Sequence, residues 1–550
     1  MVSIVHDRSG SPNQPPPLQD YNLFESDAAL REGVGRYLGD PGRLSTLGKA
    51  AGSPGVIAWG FAANAHAPEL RTHNRYGDRI DEVDFHPAWH DLLRVAIGFG
   101  MHATPWASEE PGAHLHRAAA FSVWSQVEAG VGCPLSMTYA AIPALRTEPA
   151  LAEVWEPLLT STVYDPNLRP AAEKRGVLCG MAMTERQGGS DVRTNTTSAA
   201  PAGSGGEYRL TGSKWFCSAP MSDAFLVLAQ APGGLSCFLL PRMLPDGTRN
   251  AFHLQRLKDK LGNRSNASAE VELAVAGGWR VGEEGRGIRT ILEMVNCTRL
   301  DCVIGTAALM RQAVAQATHH AAHRSAFGKR LADQPLMAGV LADLAVESEA
   351  ATALMLRLAH AADCSAHEEH EALIRRIGTA VAKYWVCKRG PVLTAEALEC
   401  LGGNGYVEES VMPRLYREAP VNSIWEGSAN VNALDVLRAL ARTPATRDAF
   451  FAEVALAAGG DHRLDAHVAR LRQDLEGGPA EGQARRLVER MALALQGALL
   501  VRHSPAAVAD AFCASRLGGD WGHAFGTLPD GVDTAAIVAR HTPRAATTSP

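Results

Sequence analysis

The chain has 550 residues, 46% hydrophobic and 20% charged, which is too long for one ordinary core and too apolar for a disordered chain. Acidic residues outnumber basic ones 59 to 53, and a net charge of −6 offers no general attraction to nucleic acid or anionic lipid. No stretch reaches the roughly 20 apolar residues that span a bilayer, residues 1–20 lack the apolar run of a signal peptide, and the ten cysteines include no C-x-x-C pair, so reduced thiols and a cytoplasmic location are expected.

Taken in chain order, residues 1–26 begin with a Pro-, Gln-, Ser- and Gly-rich stretch that reads as an N-terminal arm, ordered only against another surface. Residues 27–175 predict a helical domain. Apolar residues recur there at three- and four-residue intervals, as in 89–99 and 118–129, with Pro and Gly between segments. Residues 176–282 change to short β-type runs at 208–210, 214–217, 225–229, 237–240 and 270–273, separated by turn chemistry, and predict a compact β-domain. In residues 283–440 the helical period returns over 299–324, 336–362 and 373–401, lengths that suit a four-helix-type bundle. Residues 441–550 add helical segments at 467–475 and 482–501 as a C-terminal appendix. The expected fold class is α+β, mainly α.

Five segments carry candidate chemistry, the last two read together. Met181-Ala-Met-Thr-Glu-Arg-Gln-Gly-Gly-Ser-Asp191 lets backbone approach a flat or anionic ligand, with the Thr184 and Ser190 hydroxyls as donors; a surface turn capped by Ser190 or Asp191 explains it equally well. Lys214-Trp-Phe-Cys-Ser218 reads as an alternating strand presenting aromatics and a hydroxyl to a planar ligand, or as core packing. In Arg324-Ser-Ala-Phe-Gly328, with Gln334 beyond it, the guanidinium matches two pyrophosphate oxygens, or caps a helix. Leu401-Gly-Gly-Asn-Gly-Tyr406 and Ile424-Trp-Glu-Gly-Ser-Ala-Asn430 set Glu426 beside a glycine, as a base able to reach a substrate carbon or as an acid at a helix start. His319, His320 and His323, and His367 with His370, fall in no metal-binding motif, and no nucleophile elbow or phosphate loop is present.

The order of these motifs, T-E-x-x-G-G-S-D, K-W-F-x-S, R-x-x-F-G, L-G-G-N-G-Y and W-E-G-S-x-N, across helical, β and helical segments resembles the acyl-CoA dehydrogenase family of flavoproteins. Asn13-Gln-Pro15, Phe85-His-Pro-Ala-Trp89, residues 257–266 and 420–428, and the extra tail are most similar to its alkylation-response branch. The resemblance implies FAD held between β-domain and bundle. Met183, Thr184, Gly189 and Ser190 would contact flavin and pyrophosphate, and Phe216 and Ser218 would cover the ring. Arg324, Phe327 and Gln334 would reach the FAD of a neighbouring subunit in a homotetramer, while Gly402, Gly403, Ser428 and Asn430 complete the cleft. It further implies that Glu426 removes the α-proton of an acyl-CoA as hydride passes to flavin N5, with Arg299 at the substrate. Some members carry their base just before the arginine of the first long bundle helix, but here that residue is Thr298. Glu399 and Trp425 stand where relatives commonly have Gln and Tyr.

The alkylation-response branch also implies an alternative, a flavoprotein that binds double-stranded DNA and protects it, with little acyl-CoA turnover. Residues 441–550 hold twelve Arg, no Lys and twelve Asp plus Glu, so bulk charge cannot supply that affinity. A stripe of Arg485, Arg486, Arg490, Arg502 and Arg516 is the candidate surface, and a solvated helix face with ion pairs is the competing reading.

Overall fold

The computed structural model describes residues 13–543 except Ser204 and Pro479; the first twelve residues of the expected arm and the last seven of the appendix lie outside the described residues. Seven helices lead the chain: α1 (Ala28–Leu38), α2 (Leu44–Ala51), α3 (Pro54–Ala65), α4 (Pro87–Gly98), α5 (Ala113–Ser125), α6 (Gly132–Leu145) and α7 (Pro149–Leu159). Between α3 and α4 lies a hairpin, β1 (Glu69–His73) and β2 (Arg79–Asp84), in a region expected to be helical. Its turn is made by Asn74, whose Oδ1 accepts from the Tyr76 and Asp78 amides, and by Gly77 at φ +88°. Arg71 pairs with Glu82 and Asp84 across the strands, a charge alternation that stands in for an apolar pattern.

The β-domain contains β3 (Cys179–Thr184), β4 (Ser198–Pro201), β5 (Glu207–Ser218), β6 (Ala224–Ala231), β7 (Gly234–Pro241), β8 (Phe252–Leu257) and β9 (Ser268–Val281). Because β3 pairs with both β5 and β6, β5 with β9, β9 with β7 and β7 with β6, the sheet closes into a barrel. The apolar run of β6 is buried on both faces. Leu226 and Leu228 pack against Tyr139, Ile142 and Leu145 of α6, while Phe225 and Val227 fill the barrel with Phe238 and Phe252.

The bundle is α8 (Gly287–His323), a two-residue ribbon β10 (Ser325–Ala326) and β11 (Lys329–Arg330), α9 (Pro335–Cys364), α10 (Glu369–Glu399), α11 (Gly403–Tyr406), α12 (Met412–Glu418) and α13 (Ala429–Arg442). The appendix follows as α14 (Ala445–Ala455), α15 (His462–Glu476), α16 (Ala484–His503), α17 (Ala506–Phe512), a π-helical turn at Cys513–Leu517, and α18 (Thr534–His541). It is anchored by charge as well as apolar area: Arg540 pairs with Glu32 and Glu349, and His541 Nε2 lies 2.8 Å from Glu349. The described part of the arm runs over the bundle, where Tyr21 donates to Gln312 and His319 Nε2 lies 2.9 Å from the Pro16 carbonyl. No described helix is long and apolar enough to cross a membrane.

Candidate functional site

The loop between α12 and α13 carries Glu426 with a left-handed backbone, φ +57°, followed by Gly427 at φ +95°. A non-glycine residue holds that conformation only when its surroundings fix it. Arg299 Nε donates to the Glu426 carbonyl at 3.0 Å, and the Gly427 carbonyl accepts from Lys383 Nζ at 3.1 Å and Asn432 Nδ2 at 2.6 Å. Arg299 in turn donates to Asp435, which Arg376 also holds. Arg299 was expected at the substrate. Its guanidinium donates to Asp435 and to the Glu426 carbonyl of the loop.

The Glu426 carboxylate accepts from Thr298 Oγ1 at 2.7 Å through Oε2. The two positions at which the resemblance places a base are therefore in direct contact. Burial pushes the carboxyl above its ordinary range, opposed by the Thr298 hydroxyl and the charges of Lys383 and Arg299 and reinforced by Asp301. Neighbouring Trp425 packs against Cys133, Met137 and Ala219, and its buried Nε1 has no partner among the described residues.

Across from this loop is the rim of β3 and β5. The strand expected to alternate through Trp215 and Phe216 does not: the register with β9 slips between Lys214 and Cys217, a bulge that keeps Lys214 and Cys217 inside and leaves Phe216 50% exposed. Lys258 Nζ sits 3.3 Å from the centre of the Trp215 ring, and Arg186 covers the same ring. Ser218 Oγ is 3.1 Å from Ser268 Oγ. Lys214 is wholly buried and donates to Glu185 at 2.7 Å. Glu185 also accepts from Thr196 and Thr197, and these partners hold its carboxyl down to about 2. That ion pair pins the chain next to Met183 and Thr184, both half-buried, while Gly189 and Ser190 are exposed.

Arg324, Phe327 and Gln334 group at the β10–β11 ribbon. Phe327 is 98% exposed at its tip with φ +53°, Gln334 donates to the Ala326 carbonyl, and Arg324 donates to the Asn13 carbonyl. Asn13 also exchanges hydrogen bonds with Ser325, so the arm buttresses this ribbon. Gly402, at φ +59°, and Gly403 have open space where a Cβ would stand; Ser428 and Asn430 are exposed at the start of α13, and Glu399 is exposed at the end of α10.

Of the arginine stripe, Arg485, Arg486 and Arg502 are exposed, Arg490 is half-buried and Arg516 is buried. Arg516 is entirely buried, paired with Asp343 and with Glu347 at 3.1 Å, because the π-helical turn directs it into the bundle. Arg490 is paired with Asp474 and Arg502 with Glu453, while Arg485 and Arg486 are exposed with no ion pair among the described residues. Among the described residues no three His, Cys, Asp or Glu side chains group to hold a metal.

Motif reading gave no role to Lys260 or Lys383. For Lys383 the signal was a lysine inside an otherwise apolar run, Ala380-Val-Ala-Lys-Tyr-Trp-Val386; Lys260, in a charged stretch, gave none.

A closed β-barrel between two helical domains, with an acidic loop facing a strand rim, is the architecture of acyl-CoA dehydrogenase-type flavoproteins. Residues 180–275 match the acyl-CoA dehydrogenase middle domain and 285–441 its C-terminal domain, while 13–166 match the adaptive response protein AidB N-terminal domain. The chain belongs to the acyl-CoA dehydrogenase family. It is 48% identical over 505 residues to AidB of Escherichia coli (strain K12), spanning 91% of this chain and 93% of that protein. It is also 30% identical over 459 residues to acyl-CoA dehydrogenase family member 11 of Caenorhabditis elegans, spanning 79% and 73%. The crystal structure of Caenorhabditis elegans ACDH-11 in complex with C11-CoA superposes with a TM-score of 0.84 at 27% identity, covering 92% of this chain and 93% of that one.

Proposed function

We propose that the protein is an FAD-dependent oxidoreductase that removes two hydrogens from an acyl-CoA thioester, with Glu426 as the base. The observation that carries the reading is the Glu426 carboxylate, tethered to Thr298 through Oε2 and raised above its ordinary range by burial. Oε1 is left to take the α-proton, and burial makes the carboxylate a stronger base than a solvated one.

The residues present fit FAD. Phe216 offers an exposed ring face beside the Ser218 hydroxyl, the buried Trp425 Nε1 lacks a partner, and the glycines at 402 and 403 leave room for close approach. Met183, Thr184, Gly189 and Ser190 would hold the flavin and pyrophosphate side, and Ser428 and Asn430 the opposite wall. Bound FAD would supply the two-electron hydride acceptor. Phe327 projects from the subunit, and with the adjacent Arg324 and Gln334 it would meet the cofactor of a neighbour, which makes a homo-oligomer, by family pattern a tetramer, the working state. Trp425, bulkier than the usual tyrosine, narrows the acyl side of the cleft.

The test is the visible spectrum of the purified protein and its anaerobic titration with acyl-CoA thioesters of graded length and branching. A flavin spectrum that bleaches with one of them supports the reading. A flavin that no thioester reduces removes the acyl-CoA oxidation, and a colourless protein that does not take up FAD removes the cofactor.

A further inference from the structure

Behind the Ser218 end of β5 lies a buried polar cluster that the proposed chemistry does not use. Lys260, on the loop joining β8 to β9, donates from Nζ to the Asn266 carbonyl at 2.5 Å and to Ser268 Oγ at 3.3 Å. It makes no ion pair within the described residues. Ser268 is buried, and its Oγ is 3.1 Å from that of Ser218 on the cleft rim.

An ammonium donates and never accepts, so Ser268 Oγ receives from Lys260, and its own proton is then free to be given to Ser218 Oγ, 3.1 Å away. With Ser268 as the donor of that pair, the Ser218 hydroxyl, which also neighbours the Cys133 thiol, is available to donate onward into the cleft. We propose that Lys260 is a positioning residue which, through Ser268, orients the Ser218 hydroxyl as a donor towards the bound flavin and so favours the reduced, electron-rich state of the cofactor. This rests on the FAD reading above.

The groups facing Lys260 are few. Cys133 on α6 neighbours Lys260, Asn266 and Ser218, and burial pushes its thiol up to about 11, so it stays protonated at neutral pH. Glu418 on α12 is the acid that faces the ammonium; it is tied to Asn263 by two hydrogen bonds, and burial with the adjacent Glu128 pushes it up to about 7. Burial pulls Lys260 down to about 8, against the attraction of Cys133 and Glu418. The cation is therefore present at neutral pH and is lost as the pH rises through that range.

The experiment measures the flavin midpoint potential of the FAD-loaded protein spectroelectrochemically, for wild type, Lys260→Met and Ser268→Ala. Lys260→Met removes the cation, and Ser268→Ala removes the middle hydroxyl while keeping it. Both are expected to lower the equilibrium constant for two-electron reduction about tenfold, roughly 30 mV. The gap between wild type and Lys260→Met should close above the range in which Lys260 loses its proton, a readout that loose packing would not produce. Potentials unmoved in both variants, or moved in only one, overturn the relay while leaving flavin binding intact. A wild-type protein that binds no FAD overturns the cofactor reading and the relay with it. Where Lys260→Met fails to fold, Ser268→Ala decides alone.

Discussion

The contact between Thr298 and Glu426 gives the sharpest handle on the proposed base. Replacing Thr298 with Val nearly keeps the side-chain shape and removes the hydroxyl that donates to Oε2 at 2.7 Å. The helix itself should be unaffected, since the hydroxyl's other contacts are with the Met294 and Val295 carbonyls of its own preceding turn. A hydrogen bond to a charged group is worth about 1.5–3 kcal/mol, and each tenfold in proton affinity is about 1.4 kcal/mol. The bond favours the ionised carboxylate, so its loss raises the proton affinity of Glu426. The base must be ionised to act, and the acid limb of the reduction rate should therefore move up by about one to two pH units, with the plateau at higher pH retained. Stopped-flow reduction of the bound flavin by an accepted acyl-CoA, repeated across the neutral range, reads this directly. A limb that stays in place would refute the role assigned to Thr298, and reduction lost at every pH would show that the threonine does something other than tune the base.

Three further outcomes are expected. Gly189→Ala places a Cβ 3.1 Å from Thr184 Cγ2 and 3.2 Å from its Oγ1, forcing that hydroxyl aside at a cost of about 1–2 kcal/mol; FAD retention measured by ultrafiltration should weaken up to tenfold, and unchanged retention would take Thr184 out of the cofactor site. Phe327→Asp alters a ring that is 98% exposed; the far-UV spectrum should be unchanged while size exclusion shows smaller species, and an unaltered elution volume would place the subunit contact elsewhere. Arg516→Met takes the ion-pair partner from buried Asp343 and leaves Glu347 with Arg389 alone and should cost about 3 kcal/mol in urea unfolding; a surface arginine lying on DNA would show no such loss.

Segments with strong periodicity were legible because one pattern decided them. The three long bundle helices follow from apolar residues at helical spacing, and β6 from an uninterrupted apolar run that the barrel buries on both sides. The β1–β2 hairpin was not legible, since Glu69–His73 and Arg79–Asp84 carry their signal in cross-strand charges that are neighbours only after folding. The bulge at Trp215–Phe216 was hidden for a related reason. Alternation predicts one aromatic inward, whereas the buried ion pair of Lys214 with Glu185 takes the inward place. At the site, Glu426 and the glycine-rich turns were visible as motifs. The commitment of Arg299 to Asp435, the support of the Gly427 carbonyl by Lys383 and the burial of Arg516 depend on residues 44 to 169 positions apart, which no local pattern brings together.

The central claim is that Glu426 removes a proton from a bound acyl-CoA as the flavin is reduced. Its most direct test sets wild type beside Glu426→Gln, both loaded with FAD, under anaerobic conditions with the thioester that wild type accepts best. Glutamine keeps the size of the side chain and cannot take the proton. The account expects the variant still to bind the thioester, seen as a perturbed flavin spectrum, with no bleaching on the time scale of wild-type reduction. Bleaching of the variant at the wild-type rate would contradict it.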